Sequence, residues 1–198
     1  MTFLRSGMLA LLLFSAAALA AEVPANGIFL VASRDLRDPN FRETVVLVTQ
    51  PPQGGPFGLI INRPLPHRLS ELFPEYEALR SRDSVVHFGG PVERDGIVFL
   101  VRAKTPPPSA TRVLDDVYVL TDMNAAFDLL ENHDSENTRV FAGYSGWAPG
   151  QLQSELRRGG WHVLPADAAT VFDKKAEEIW PALIGRAGLQ RTRALPVQ

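Results

Sequence analysis

Gly143-Tyr144-Ser145-Gly146-Trp147-Ala148-Pro149-Gly150-Gln151-Leu152-Gln153-Ser154-Glu155-Leu156 is the stretch on which the fold turns. Just before it, Thr138-Arg139-Val140-Phe141-Ala142 is rich in β-formers and reads as a strand. Gly143, Gly146 and Gly150 crowd a sharp exit, and Pro149 suits the first position of a helix, where its missing N–H costs nothing. Leu152 and Leu156 share one face of that helix, with Gln151 and Glu155 together on the neighbouring face. Gly159-Gly160 ends it, and Trp161-His162-Val163-Leu164 resumes as a strand. Strand, corner, helix and strand follow one another within about twenty-five residues.

Working outward, Gly27–Ala32, Thr44–Thr49 and Phe57–Asn62 read as strands, the last two as a hairpin across a Pro- and Gly-rich loop. Asp38-Pro39-Asn40 is a turn signature. Leu69–Leu79 has helical spacing that Pro74 should break. Val85–Phe88, Gly96–Val101 and Val117–Leu120 read as further strands, and Pro106-Pro107-Pro108 as a stiff connector. Thr121 or Asp122 can cap a helix over Met123–Glu131, and Asp167 one over Ala168–Phe172. A last helix is expected over about residues 174–186, burying Ala176, Ile179, Trp180 and Leu183, with a frayed tail after Gly188. Strands come in runs and do not alternate strictly with long helices. This predicts one α+β domain with a mixed or antiparallel sheet, not a doubly wound parallel one.

Residues 1–20 have the three parts of a secretory signal: Arg5, an apolar run from Met8 to Phe14 continued by alanines, and the small-x-small site Ala18-Leu19-Ala20. The run is shorter than the roughly twenty residues a spanning helix needs. Cleavage after Ala20 would leave residues 21–198 as the domain, in the periplasm or secreted. The alternative is an uncleaved N-terminal anchor.

The formal charge is −2, and removing Arg5 makes the remainder about one unit more negative. Such a domain lacks the basic footprint of a nucleic-acid binder, so no direct nucleic-acid partner is expected. There is no cysteine, which excludes disulfides, thiolate chemistry and Cys–zinc sites.

Catalytic patterns are sparse. Gly143-Tyr144-Ser145-Gly146-Trp147 is a near miss of the hydrolase elbow Gly-x-Ser-x-Gly, with Trp147 where the last glycine belongs. Ser145 reads more simply as a turn serine bonded to local backbone. His67, His87, His133 and His162 lack metal-ligand spacing, so neither metal nor cofactor is expected. The polar residues left as a candidate ligand or structural cluster are Asp38, Asn40, Asn62, Arg63, Tyr144, Ser145, Gln151 and Glu155. Two arrangements are open: Arg63 paired with Asp38 or Glu155 inside the fold, or Arg63, Gln151 and Glu155 lining a pocket for an anion or small ligand.

Four segments together resemble the YqgE/AlgH family over about residues 26–193: Ala32–Phe41, Gly58–Pro64, Phe88–Val92, and Gly143–Glu155 followed by Gly160-Trp161. The resemblance implies an α+β fold whose bifurcated sheet curls into a pseudo-barrel, and it leaves the activity open. One branch is described as a regulator of alginate transcription. Typical members begin near the first strand and look cytosolic, whereas this chain adds the leader, and an exported protein cannot act on a promoter. The expectation is a non-enzymatic binding or accessory protein of the cell envelope, with an unknown small ligand or protein partner and no membrane span after cleavage. The alternatives are a hydrolase using Ser145, or a cytosolic regulator if residues 1–20 are no signal.

Overall fold

β1 (Ile28–Ala32) and β2 (Val45–Thr49) are buried at every position, because helices cover both faces of this part of the sheet. Their side chains divide by alternation. Phe29, Val31, Val45 and Leu47 join one apolar cluster, and Leu30, Val46 and Val48 join another on the opposite face. The computed structural model describes residues 27–50, 55–80, 84–132 and 137–194. The leader at residues 1–20 and His133 lie outside the described residues.

The remaining strands are β3 (Phe57–Ile60), β4 (Pro64–Arg68), β5 (Val85–Phe88), β6 (Val92–Arg102), β7 (Thr111–Arg112), β8 (Val117–Leu120), β9 (Thr138–Gly146) and β10 (Trp161–Pro165). The helices are α1 (Leu69–Leu72), α2 (Glu77–Arg80), α3 (Met123–Asn132), α4 (Gln151–Arg157), α5 (Ala168–Phe172) and α6 (Ala176–Ala194). The main sheet runs β10-β1-β2-β3-β9-β6-β8-β7 and curls into an antiparallel half-barrel in a single domain. β4 and β5 form a branch joined to β9 by a parallel β5–β9 ladder. α5 and α6 pack on one face, where Phe172, Ile179, Leu183 and Ile184 meet Phe29, Leu47 and Phe141. α4 covers the other face of β1 and β2 through Leu152, beside Trp147 and Trp161. Around β6, β8 and the far end of β9, Phe127 and Leu130 of α3 pack on Phe99, Tyr118 and Val140.

The bifurcation occurs along one edge of β9. Val140–Ala142 pair with β5, whereas Ser145 and Gly146 pair with β3. Gly143, at φ +69°, stands between the two ladders. Gly89, just past β5, stitches the fork: its N–H donates to Ala142 O at 2.9 Å, and its carbonyl accepts from Ile60 N at 3.0 Å. Main chains cross so closely here that a Cβ at Gly89 would lie 2.1 Å from Gly143 O, and one at Gly90 2.3 Å from Tyr144 O. On the other edge of β9, Val92 pairs with Tyr144 and Ile97 with Ala142, so Glu93–Gly96 bulge out opposite Gly143.

Several local expectations change. β9 does not stop at Ala142 but continues through the glycines to Gly146, so the corner lies at its end. Pro149 precedes the helix, and Gly150, in the left-handed region, is the N-cap. β4 was not expected, because Pro64 and Pro66 argue against a strand. It survives as an irregular edge strand paired at two positions, where missing N–H donors are tolerated. β7 is a two-residue strand without a sequence signature. α6 starts later than expected and runs on to Ala194, because Ile179, Leu183, Ile184 and Ala187 keep one buried face. Ala176 is only half-buried.

Candidate functional site

The corner after β9 is a closed hydrogen-bond network. Glu155, on α4, accepts from the indole N–H of Trp147 at 3.1 Å and of Trp161 at 2.9 Å through Oε2. Its other oxygen accepts from Gln151 Nε2 at 3.0 Å, while Gln151 Oε1 accepts from Ala148 N at 3.0 Å. α4 ends in a Schellman motif, with Gly159 N donating to Leu156 O and Gly160 N to Glu155 O. Trp147 is 7% exposed and Trp161 5%, and the Trp147 ring lies over Gly58. Both carboxylate oxygens are occupied within the fold. A small hollow of about 240 Å³ lies beside Glu155 and Trp161, with Arg37 and Arg158 also in its wall.

Ser145 is fully buried, and its Oγ donates to Gly89 O at 3.2 Å. It bonds backbone, as expected, but backbone far away in sequence: it is a sheet residue locking the fork, not a turn serine. Tyr144 stacks on Phe57 at 4.9 Å between centroids, and its hydroxyl reaches toward Glu93 Oε1 at 3.5 Å. Burial, then the Glu93 charge, pushes the Tyr144 phenol above its ordinary pKa.

The other four sequence candidates form a separate turn lock. Asp38 Oδ1 accepts from Asn40 N at 2.8 Å. Asn62 bridges two strand ends, accepting from Val45 N at 2.8 Å and donating to Glu43 O at 2.9 Å. Arg63 donates to the carbonyls of Pro39, Asn40 and Arg42 at 3.1, 2.6 and 2.9 Å. Its donors serve main-chain acceptors in place of the ion pair expected with Asp38 or Glu155. Burial, then Arg42, lowers the Arg63 pKa, while Asp38 and Glu43 oppose. The eight residues therefore occupy three places, and Arg63 does not share a pocket with Gln151 and Glu155.

A different site emerges at the opposite end of β9. A cleft of about 460 Å³ lies between the β4–β5 branch, the start of β9 and the α5–α6 turn. Its apolar wall includes Ile61, Pro64, Val171 and Phe172, and its polar groups include His87, Thr138, Arg139, Asp173, Lys174 and Lys175. Phe172 is held between two guanidinium groups, Arg102 at 4.7 Å and Arg139 at 5.8 Å from its ring centre. Arg139 also donates to Phe172 O, and Arg102 donates to Ala168 O and to both oxygens of Asp173. His87 and Thr138 belong to its wall, but their Nδ1 and Oγ1 atoms are buried out of reach of solvent and have no hydrogen-bond partner. Burial and then the Arg139 cation pull the His87 pKa down to about 4, against opposing backbone hydrogen bonds to Val140 and Val85. The ring is therefore neutral at pH 7. Burial likewise lowers Arg139, with Asp173 opposing and Arg102 assisting.

Sequence reasoning named His87 only as a strand residue and singled out neither Thr138 nor Arg139. The available signal was a histidine inside the apolar run Val85-Val86-His87-Phe88, a polar group placed where a strand is covered. Among the described residues, no three His, Asp or Glu side chains gather to hold a metal ion. Also among the described residues, no helix is long and apolar enough to cross a membrane.

Comparison with known proteins places this geometry in a family. A UPF0301 protein of Rhodococcus opacus is 35% identical over 167 residues, covering 82% of this chain and 83% of its own. One of Mycobacterium avium is 33% identical over 174 residues, covering 86% of each. The solution structure of the AlgH protein from Pseudomonas aeruginosa superposes with a TM-score of 0.69 at 29% identity, covering 89% of this chain and 97% of that one. A crystal structure of a Corynebacterium diphtheriae protein gives 0.70 at 25% identity, covering 83% and 87%. The AlgH-like family profile matches residues 29–192, from the first strand well into the last helix, and the chain belongs to that family.

Proposed function

We propose that the chain is a non-catalytic binding protein, exported to the cell envelope, whose binding surface is the cleft between β5, β9 and the α5–α6 turn. The observation that carries this reading is a cleft of about 460 Å³ whose wall combines the apolar Ile61, Pro64, Val171 and Phe172 with the cations Arg139, Lys174 and Lys175. Small-molecule sites are concave and mostly apolar with a few convergent polar groups, and the cleft has that composition. Native mass spectrometry of the protein purified from its own envelope fraction tests it. A small-molecule adduct that the double variant Lys174→Gln, Lys175→Gln diminishes is expected. Adduct-free protein that gains nothing from envelope extract would remove the reading.

Ser145, the residue a hydrolase would need, has no accessible surface and donates its proton to Gly89 O, which supports the non-catalytic reading. Ester hydrolysis by the wild type that disappears in Ser145→Ala would reverse that part. Export rests on residues 1–20. N-terminal sequencing of the protein from fractionated cells should begin at Ala21; an intact Met1 in the cytosol would favour the cytosolic alternative.

A further inference from the structure

We propose a second site, away from the cleft: the cavity beside the Glu93–Gly96 bulge takes a small organic amine in its protonated form, its apolar body among Phe57, Phe73, Met123 and Tyr144 and its ammonium group against Glu93 and Asp95. This site is independent of the binding reading above and stands even if the cleft binds nothing.

The curled sheet creates the cavity. The left-handed turn at Gly143 separates Ala142, which packs with Phe73 and Met123 against one apolar cluster, from Tyr144, which packs with Phe57 against another. Between these two pairs about 480 Å³ is open. The bulge on β6, opposite Gly143, puts the exposed side chains of Glu93 and Asp95 in the cavity wall.

The lining selects an organic body. Three aromatic residues and the Met123 thioether contribute to it, with Phe57 and Tyr144 stacked at 4.9 Å between centroids. The volume lies within the range of about 300–1,000 Å³ typical of small-molecule sites.

Charge selects a cation. Glu93 and Asp95 line the cavity, and among the described residues no Lys, Arg or His lines it with them. Arg94, between them in sequence, lies over the Phe88 ring at 5.5 Å. Among the described residues the Asp95 carboxylate has no hydrogen bond or ion pair, and the Glu93 carboxylate has a single long one, from the Tyr144 hydroxyl at 3.5 Å. Both therefore keep acceptor capacity for the N–H groups of a protonated amine. Exposed carboxylates hold a cation weakly on their own, so charge alone makes no site here. The aromatic wall supplies the rest, since a cation within about 6 Å of a ring centre is attracted to its face.

The test is titration of the purified protein at neutral pH and constant ionic strength with benzylamine, its neutral counterpart benzyl alcohol, ammonium chloride and Nα-acetyl-lysinamide. Binding is read by calorimetry and by the ring resonances of Phe57 and Tyr144. Benzylamine is expected to saturate in the millimolar range and shift those resonances, with benzyl alcohol and ammonium each severalfold weaker. The double variant Glu93→Gln, Asp95→Asn should lose severalfold for benzylamine and little for benzyl alcohol. It should keep wild-type stability, since both side chains are exposed. Benzyl alcohol binding as tightly as benzylamine would overturn the cationic class. Ammonium binding as tightly would mean ion attraction alone and overturn the organic body. Tighter binding of Nα-acetyl-lysinamide would reassign the cavity to a protein lysine and overturn the small-ligand class. Benzylamine that leaves both rings unshifted, or binds the double variant as well as the wild type, overturns the site. The adduct experiment decides the cleft separately.

Discussion

The two ends of β9 carry buried hydroxyls in opposite states. At Ser145, beside the fork, Oγ is bonded to Gly89 O and every neighbouring polar group is occupied: both Glu155 oxygens, both indole N–H groups and the Gln151 amide. At Thr138, beside the cleft, Oγ1 is as deeply buried and has no partner. One strand thus holds a bonded structural joint at one end and a buried hydroxyl without a partner at the other. The lesson concerns where function is sought. The end richest in glycine, tryptophan and polar residues is the scaffold, and the plainer end is the candidate site.

The largest effect belongs to the joint. Gly89→Ala places a methyl 2.1 Å from the Gly143 carbonyl, where only main chain can move. A loss on the order of 4–5 kcal/mol or failure to fold is expected, read by urea denaturation. Soluble Gly89→Ala with near-native stability would show that the fork is loose. Next comes Glu155→Ala, which strands two indole donors. Roughly 2–6 kcal/mol is expected at about 1–3 for each unsatisfied donor, and Glu155→Gln, which keeps an acceptor, should lose less. Equal losses in both variants would mean that the network matters through packing alone.

The cleft end contributes a pH effect. The His87 pKa is 6.5 in the unfolded chain and about 4 in the fold, so the unfolded state binds the extra proton first. The contribution is present in full above pH 6.5, declines as pH falls towards 4, and is flat below. The sign follows from linkage, and the change is up to ~3 kcal/mol. Carboxylates titrate in part of this window, so the measurement is the difference between wild type and His87→Gln. Their stability gap should shift with pH between these limits; parallel curves would contradict a buried neutral ring.

Legibility in the sequence followed locality. Asp122 and Asp167 were readable as caps because a cap is made within three residues, and both cap their helices. The Gln151–Glu155 pairing followed from helix periodicity alone. The fork was not readable, since the roles of Gly89 and Ser145 exist only when two distant segments cross. The family resemblance supplied the bifurcated sheet that the local pattern could not. Three kinds of segment build the cleft: a strand histidine, the start of β9, and the turn before α6. None carries a motif, and their convergence is a property of the curled sheet. Arg63 was readable as important but not in its role, because carbonyl acceptors in a turn leave no residue-type signature.

The smallest effect is also the most direct test of the contrast between the two ends of β9. Paired urea denaturation of Ser145→Ala and Thr138→Val, at neutral pH without ligand, compares loss of a bonded buried hydroxyl with loss of an orphaned one. Ser145→Ala should cost about 1 kcal/mol and Thr138→Val should be neutral within ~0.5 kcal/mol or stabilising. Equal destabilisation by the two would mean that the Thr138 hydroxyl already has its partner and that the cleft end of β9 is scaffold as well.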